Sequence, residues 1–142
     1  MKTVLPLVCF LLVLFGCEKA EIGTGTDCTD YLTNRLLAEN QIRGEWQLAR
    51  VSSIAPNPTV PDVRLVIDRN RITVWENGTQ TNRFRYLIVK NRSKELLLWT
   101  DAQPQNTAWH LHNARLLLCK NRLFLDDGIA LDGPGYDFHR TR

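Results

Sequence analysis

Apolar residues recur at every second position along most of the chain after Gly44. In Val63-Arg64-Leu65-Val66-Ile67-Asp68, Val63, Leu65 and Ile67 share one face while Arg64 and Asp68 take the other, the alternation of a half-buried strand. Ile72 and Val74 continue it in Arg71–Glu76, and Phe84, Tyr86 and Ile88 in Arg83–Lys90. Runs over Glu95–Thr100, Thr107–Cys119, Arg122–Asp126 and Tyr136–Arg140, together with Glu45–Ser52, bring the predicted strands to eight. Arg69-Asn70, Asn77-Gly78, Asn91-Arg92-Ser93 and Lys120-Asn121 stand between successive runs and carry turn chemistry, so neighbours in sequence should pair as hairpins. If Lys120-Asn121 is a two-residue turn, Leu118 pairs with Leu123 and Leu116 with Leu125. Parity sharpens one hairpin. Ile72, Val74 and Phe84 can all face inward only across a loop of odd length, which predicts a three-residue turn Asn77-Gly78-Thr79, Gly78 at positive φ and Ile72 opposite Phe84. Eight short antiparallel strands with one dry face close most economically as an up-and-down barrel, because closure removes the unpaired edges of an open sheet. A short helix is expected just before them, over Thr29–Asn40, capped by Thr29 or Asp30, with Leu32 and Leu36 on one side and Asn40 closing it in the left-handed conformation.

The start of the chain follows a different pattern. Met1-Lys2-Thr3 is positive, and Val4 to Gly16 is an almost unbroken apolar stretch, too short for the roughly 20 residues of a membrane span but suited to an export signal. Its end, Leu14-Phe15-Gly16-Cys17, resembles the bacterial lipobox. The resemblance implies removal of residues 1–16 and acylation of Cys17. Two or three acyl chains make such an anchor effectively permanent, since each buried methylene contributes about 0.8 kcal/mol. Residues 17–28, with Gly23-Thr24-Gly25-Thr26, read as a lipidated flexible tether, and 29–142 as the barrel domain. Export leaves Cys28 and Cys119 in an oxidising compartment, where one disulfide between them is expected.

Leu37–Ser52, a helical lead-in followed by Gly44-x-Trp46, resembles the opening of the lipocalin-like lipoproteins, and Tyr136-x-Phe138-x-Arg140 is similar to their closing strand. The resemblance implies an all-β, eight-stranded antiparallel up-and-down lipocalin-like barrel. It also implies that Gly44 and Trp46 sit at the closed end with Arg140 packed over the indole, a cation–π contact of about 0.5–2 kcal/mol. It further implies a cup for a small apolar or amphipathic ligand, with Tyr86, Trp99 and Trp109 as candidate lining residues. The alternative is a barrel filled by its own side chains, serving as a structural or interaction protein of the cell envelope; eight-stranded barrels occur both ways.

Composition narrows the chemistry. The 142 residues fit one domain. A formal charge of +3, mixed in sign along the chain, does not favour nucleic acid as a partner. His110 and His112 are two apart on a strand and could share a metal with His139, but no Cys or carboxylate joins them at a strong spacing, so no metal or cofactor is expected. If alternation runs unbroken back from Leu116, the two histidines face inward; if Trp109 and Leu111 face inward, a bulge near Asn113–Arg115 puts both outside, and the buried tryptophan favours the bulge. Arg64, Arg71, Arg83 and Arg85 fall on the polar faces of three consecutive strands, where Arg64 should lie opposite Trp75 as a stacked pair. No catalytic constellation is evident, and Asp126, Asp127 and Asp132 around Gly128 read as turn chemistry. The expectation is a non-enzymatic, lipid-anchored envelope protein on the non-cytoplasmic side of a bacterial membrane, the outer membrane favoured over the inner.

Overall fold

The computed structural model describes residues 28, 30–103, 109 and 111–142. One helix, α1 (Arg35–Gln41), precedes eight strands: β1 (Gly44–Ser52), β2 (Val63–Ile67), β3 (Arg71–Glu76), β4 (Thr79–Lys90), β5 (Leu96–Thr100), β6 (Ala114–Cys119), β7 (Arg122–Asp126) and β8 (Gly135–Arg140). Each strand pairs antiparallel with the next, and β8 returns to β1, so the sheet closes as a barrel in sequence order. The alternation seen in the sequence is the cause. Val63, Leu65, Ile67, Ile72, Val74 and Ile88 are all buried, while the residues between them face outward.

The β3–β4 register puts Ile72 opposite Phe84, and Gly78 has φ +75°. The turn differs from expectation. It holds two residues, Asn77 and Gly78, both at positive φ, and a bulge between Val74 and Trp75 absorbs the parity mismatch. At the β6–β7 turn, Leu118 lies opposite Leu123 and Leu116 opposite Leu125. The helix is shorter and later than expected. Residues 31–34 are not helical, because Leu32 N–H donates to the Leu118 carbonyl (2.9 Å) instead of joining a helical turn. Asn34 is the N-cap, its side chain accepting from Leu37 N–H (3.2 Å), while the right-handed Ile42 ends the helix in place of a left-handed Asn40. Its buried side chain is Ala38, next to Ile42, whereas Leu36 is exposed.

β6 begins at Ala114 rather than Thr107; residues 104–108 and 110 lie outside the described residues, as do Thr29 and the signal and acylation positions 1–17. Before β6, Trp109 and Leu111 are buried and His112 is exposed. Cys28 and Cys119 form a disulfide, Cα atoms 6.1 Å apart, closing a sequence separation of 91.

Candidate functional site

The end of the barrel at the start of β1 is sealed by three residues. Trp46 is fully buried, and its Nε1 donates to the Ile42 carbonyl (2.7 Å), one of the acceptors left over where α1 ends. The Arg140 guanidinium lies 4.2 Å from the indole centroid. It also donates to the carbonyls of Gln41, Arg43 (2.7 Å) and Lys120 (3.3 Å), tying the chain before β1 to the β6–β7 turn. Gly44 has φ +128°, and a Cβ there would meet the Arg142 carbonyl oxygen at 2.5 Å and Arg140 Nη1 at 2.6 Å, so only glycine lets the chain pass under the arginine. Tryptophan, arginine and glycine therefore meet as the sequence resemblance implies.

The three proposed lining aromatics do not meet. Trp109 is inside the barrel, its ring edge-on to Tyr136 (4.9 Å) and Phe138 (5.7 Å). The space beside it at the open mouth, between Val74, Phe84, Asn82 and Leu111, has a volume of about 20 Å³, room for about one water. Trp99 belongs to the outer face. On β5 the inward positions are Leu96 and Leu98, which leaves Trp99 pointing out, 51% exposed, opposite Leu87 on β4, 66% exposed. Tyr86 is buried; its hydroxyl donates to the Asp68 carbonyl (2.8 Å), and burial pushes its pKa up to about 12, so it remains a neutral donor.

Tyr86 and Trp99 nevertheless line one space. Where β4 and β5 meet beside the β2–β3 turn, an open groove of about 410 Å³ is bounded by Tyr86, Leu87, Trp99, Thr100, Asn70 and the Arg85–Asp101 pair. Arg85 Nε donates to Asp101 Oδ2 (3.0 Å) and Arg85 N–H to Oδ1 (2.7 Å), and these bonds hold the Asp101 carboxyl below the usual carboxylate range. Thr100 Oγ1 is buried without a hydrogen-bond partner among the described residues. The sequence places Arg85 on the outer polar face, whereas Leu87, Asp101 and Thr100 were not read as site residues. The available signal was parity: Leu87 shares the outward face of Arg83 and Arg85, and an apolar residue there is exposed by construction.

The other proposed constellations resolve into surface. Arg64 stacks on Trp75 (5.1 Å to the centroid) and pairs with Glu45 (3.3 Å). Arg71 and Arg83 are exposed on the same outer wall, with no ion pair among the described residues. His112 and His139 are exposed, His110 lies outside the described residues, and among the described residues no group of three His, Cys, Asp or Glu is placed to hold a metal ion. Asp126 Oδ1 accepts from Gly128 N–H (3.0 Å) and Ile129 N–H (2.9 Å), turn chemistry as expected. Comparison of the chain with protein-family models, curated proteins and solved structures finds no match. The eight-stranded closed barrel fits a lipocalin-like fold on its own geometry.

Proposed function

We propose that the protein is a non-enzymatic binding module, lipid-anchored through Cys17 to a bacterial envelope membrane, whose barrel is a rigid scaffold and whose ligand site is the outer β4–β5 groove. The contrast between two spaces among the described residues carries the reading: about 20 Å³ beside Trp109 against about 410 Å³ on the wall. Small-molecule sites usually run to about 300–1,000 Å³, with mostly apolar walls and a few placed polar groups. Leu87 and Trp99 supply the apolar wall, and Arg85, paired with Asp101, supplies the polar end. That pairing suits an amphipathic molecule with an anionic head, such as a fatty acid. A second reading, an envelope interaction protein with no small ligand, draws support from the facing exposed pair Leu87 and Trp99, which also suits a protein contact.

A dibrominated fatty acid separates these readings, because bromine quenches only a nearby indole. Saturable quenching is expected, lost in Trp99→Phe and kept in Trp109→Phe, and Leu87→Asp is expected to weaken binding by about tenfold or more, since it replaces an apolar wall contact with a charge. Quenching that survives in Trp99→Phe and disappears in Trp109→Phe would put the ligand inside the barrel and overturn the groove assignment. No saturable quenching at all would favour the interaction reading.

A further inference from the structure

The two ends of the barrel differ in charge. At the end sealed by Trp46, the residues between and beyond the strands include Arg43, Arg69, Arg92, Lys94, Lys120 and Arg142, all exposed. Most acids there are already engaged: Glu39 with Arg35 (2.7 Å), Glu45 with Arg64 (3.3 Å) and Arg142 (3.9 Å), and Glu95 with Arg115 (3.1 Å), leaving Asp30 and Asp68 against the other loop cations. The connections at the opposite end, 53–62, 77–78, 101–113 and 127–134, contain no lysine or arginine in their sequence and carry Asp62, Asp127 and Asp132, while Asp101 is taken up by Arg85 (3.0 Å).

The chain leading back to Cys17 enters at the basic end. Cys28 is bonded to Cys119, the last residue of β6, and Leu32 is hydrogen-bonded to Leu118 beside it. Ten residues, 18–27, separate Cys17 from Cys28. A segment of that length reaches at most about 40 Å. A lipid on Cys17 therefore joins the fold at its basic end rather than its acidic one.

From this juxtaposition we infer that the Trp46 end of the barrel rests on the anionic phosphate surface of the membrane to which Cys17 is anchored, with the acidic open end turned away. The inference rests on the lipid-anchor reading above. Its occupant is the bilayer surface itself, selected by charge complementarity and by where the tether joins the fold. Each basic residue held near an anionic leaflet strengthens its partition by about fivefold. Because the anchor already supplies the encounter, these charges act on orientation rather than recruitment. The attraction fades within a Debye length of about 8–10 Å, so salt should release the barrel from the surface without releasing the protein from the membrane. The disulfide becomes an orienting device: it fixes the tether's exit to the basic end.

Chemical footprinting tests this directly, because Lys90, Lys94 and Lys120, the described lysines, all lie at the basic end. The lipidated protein is placed in vesicles of phosphatidylcholine alone or mixed with phosphatidylglycerol. Lysine acetylation and carbodiimide-driven carboxylate amidation are then read residue by residue by mass spectrometry. Acetylation at Lys94 and Lys120 is expected to slow by roughly threefold or more on the anionic vesicles, to recover in high salt, and to be insensitive to phosphatidylglycerol in Arg69→Glu/Arg92→Glu. Amidation at Asp62 and Asp132 should not change. Equal lysine rates on the two compositions, or shielding of Asp62 and Asp132 instead, would overturn the orientation while the anchor stands. A Cys17 mass without acyl groups would overturn the anchor reading and this inference with it.

Discussion

Replacing Trp46 by alanine is expected to cost about 3–5 kcal/mol of stability, the range for removing a fully buried tryptophan from a well-packed site. Three losses coincide there. The barrel end loses its largest plug, the Ile42 carbonyl loses its 2.7 Å donor, and the Arg140 guanidinium loses the ring 4.2 Å beneath it. Trp46→Phe keeps an aromatic body in the same place and removes the Nε1 donor, so its cost should be smaller, about 1–2 kcal/mol, most of it the buried carbonyl left unmet. Urea unfolding followed by circular dichroism checks both, with the midpoint falling and the slope unchanged. A Trp46→Ala loss below about 1 kcal/mol would mean that this residue does not seal the barrel.

Reducing the Cys28–Cys119 disulfide, or replacing both cysteines by serine, should have an effect of similar size. The bond closes a sequence separation of 91 that takes in β1 to β6, and the chain-entropy argument assigns such a loop about 4–5 kcal/mol through the restricted unfolded state. For a domain of this size that corresponds to a fall in Tm of order 15 °C. The native contacts of the strands should hardly change, because the bond joins the segment before α1 to the end of β6 and lies outside the β1–β8 seam. The unfolded chain becomes more expanded, so the denaturant slope should rise on reduction while near-ultraviolet circular dichroism of the folded form stays the same. A change in Tm of only a degree or two would show that the unfolded chain already keeps this loop compact.

Strand identity and order were legible because each strand has a single buried face, and a period of two along the sequence is its direct trace. The turns were legible where two-residue chemistry was unambiguous, as at Lys120-Asn121. At Asn77-Gly78 the parity argument was sound but its resolution was not unique: a bulge inside β3–β4 and an extra loop residue satisfy the same constraint, and a turn with both residues at positive φ matches strand twist better. The helix was misplaced because Leu32 looks helical by spacing yet serves as a backbone partner of β6. Trp46, Gly44 and Arg140 were found through resemblance, not through pattern. The tie around Asp137 had no sequence signal. This carboxylate, 3% exposed on β8, accepts from Arg122 (2.8 and 2.7 Å) on β7 and from Arg50 (3.1 Å) on β1, bracing the two strands that flank β8. One line of sequence cannot show which of several arginines will meet one aspartate 87 and 15 residues away. The outer groove was missed for a related reason: an aromatic residue tempts the reader to place it inside, but the parity of β5 had already put Trp99 outside.

Closure of the barrel along the β1–β8 seam underlies the sealed end, the single buried face of each strand and the assignment of binding to the outer wall. Nuclear magnetic resonance of the folded protein tests it most directly. Cross-strand contacts should connect Leu48 with Phe138 and Trp46 with Arg140, and amides on both strands of the seam should be among the slowest to exchange. Fast-exchanging amides along β1 and β8, with no contacts across these pairs, would show an open sheet and contradict the account.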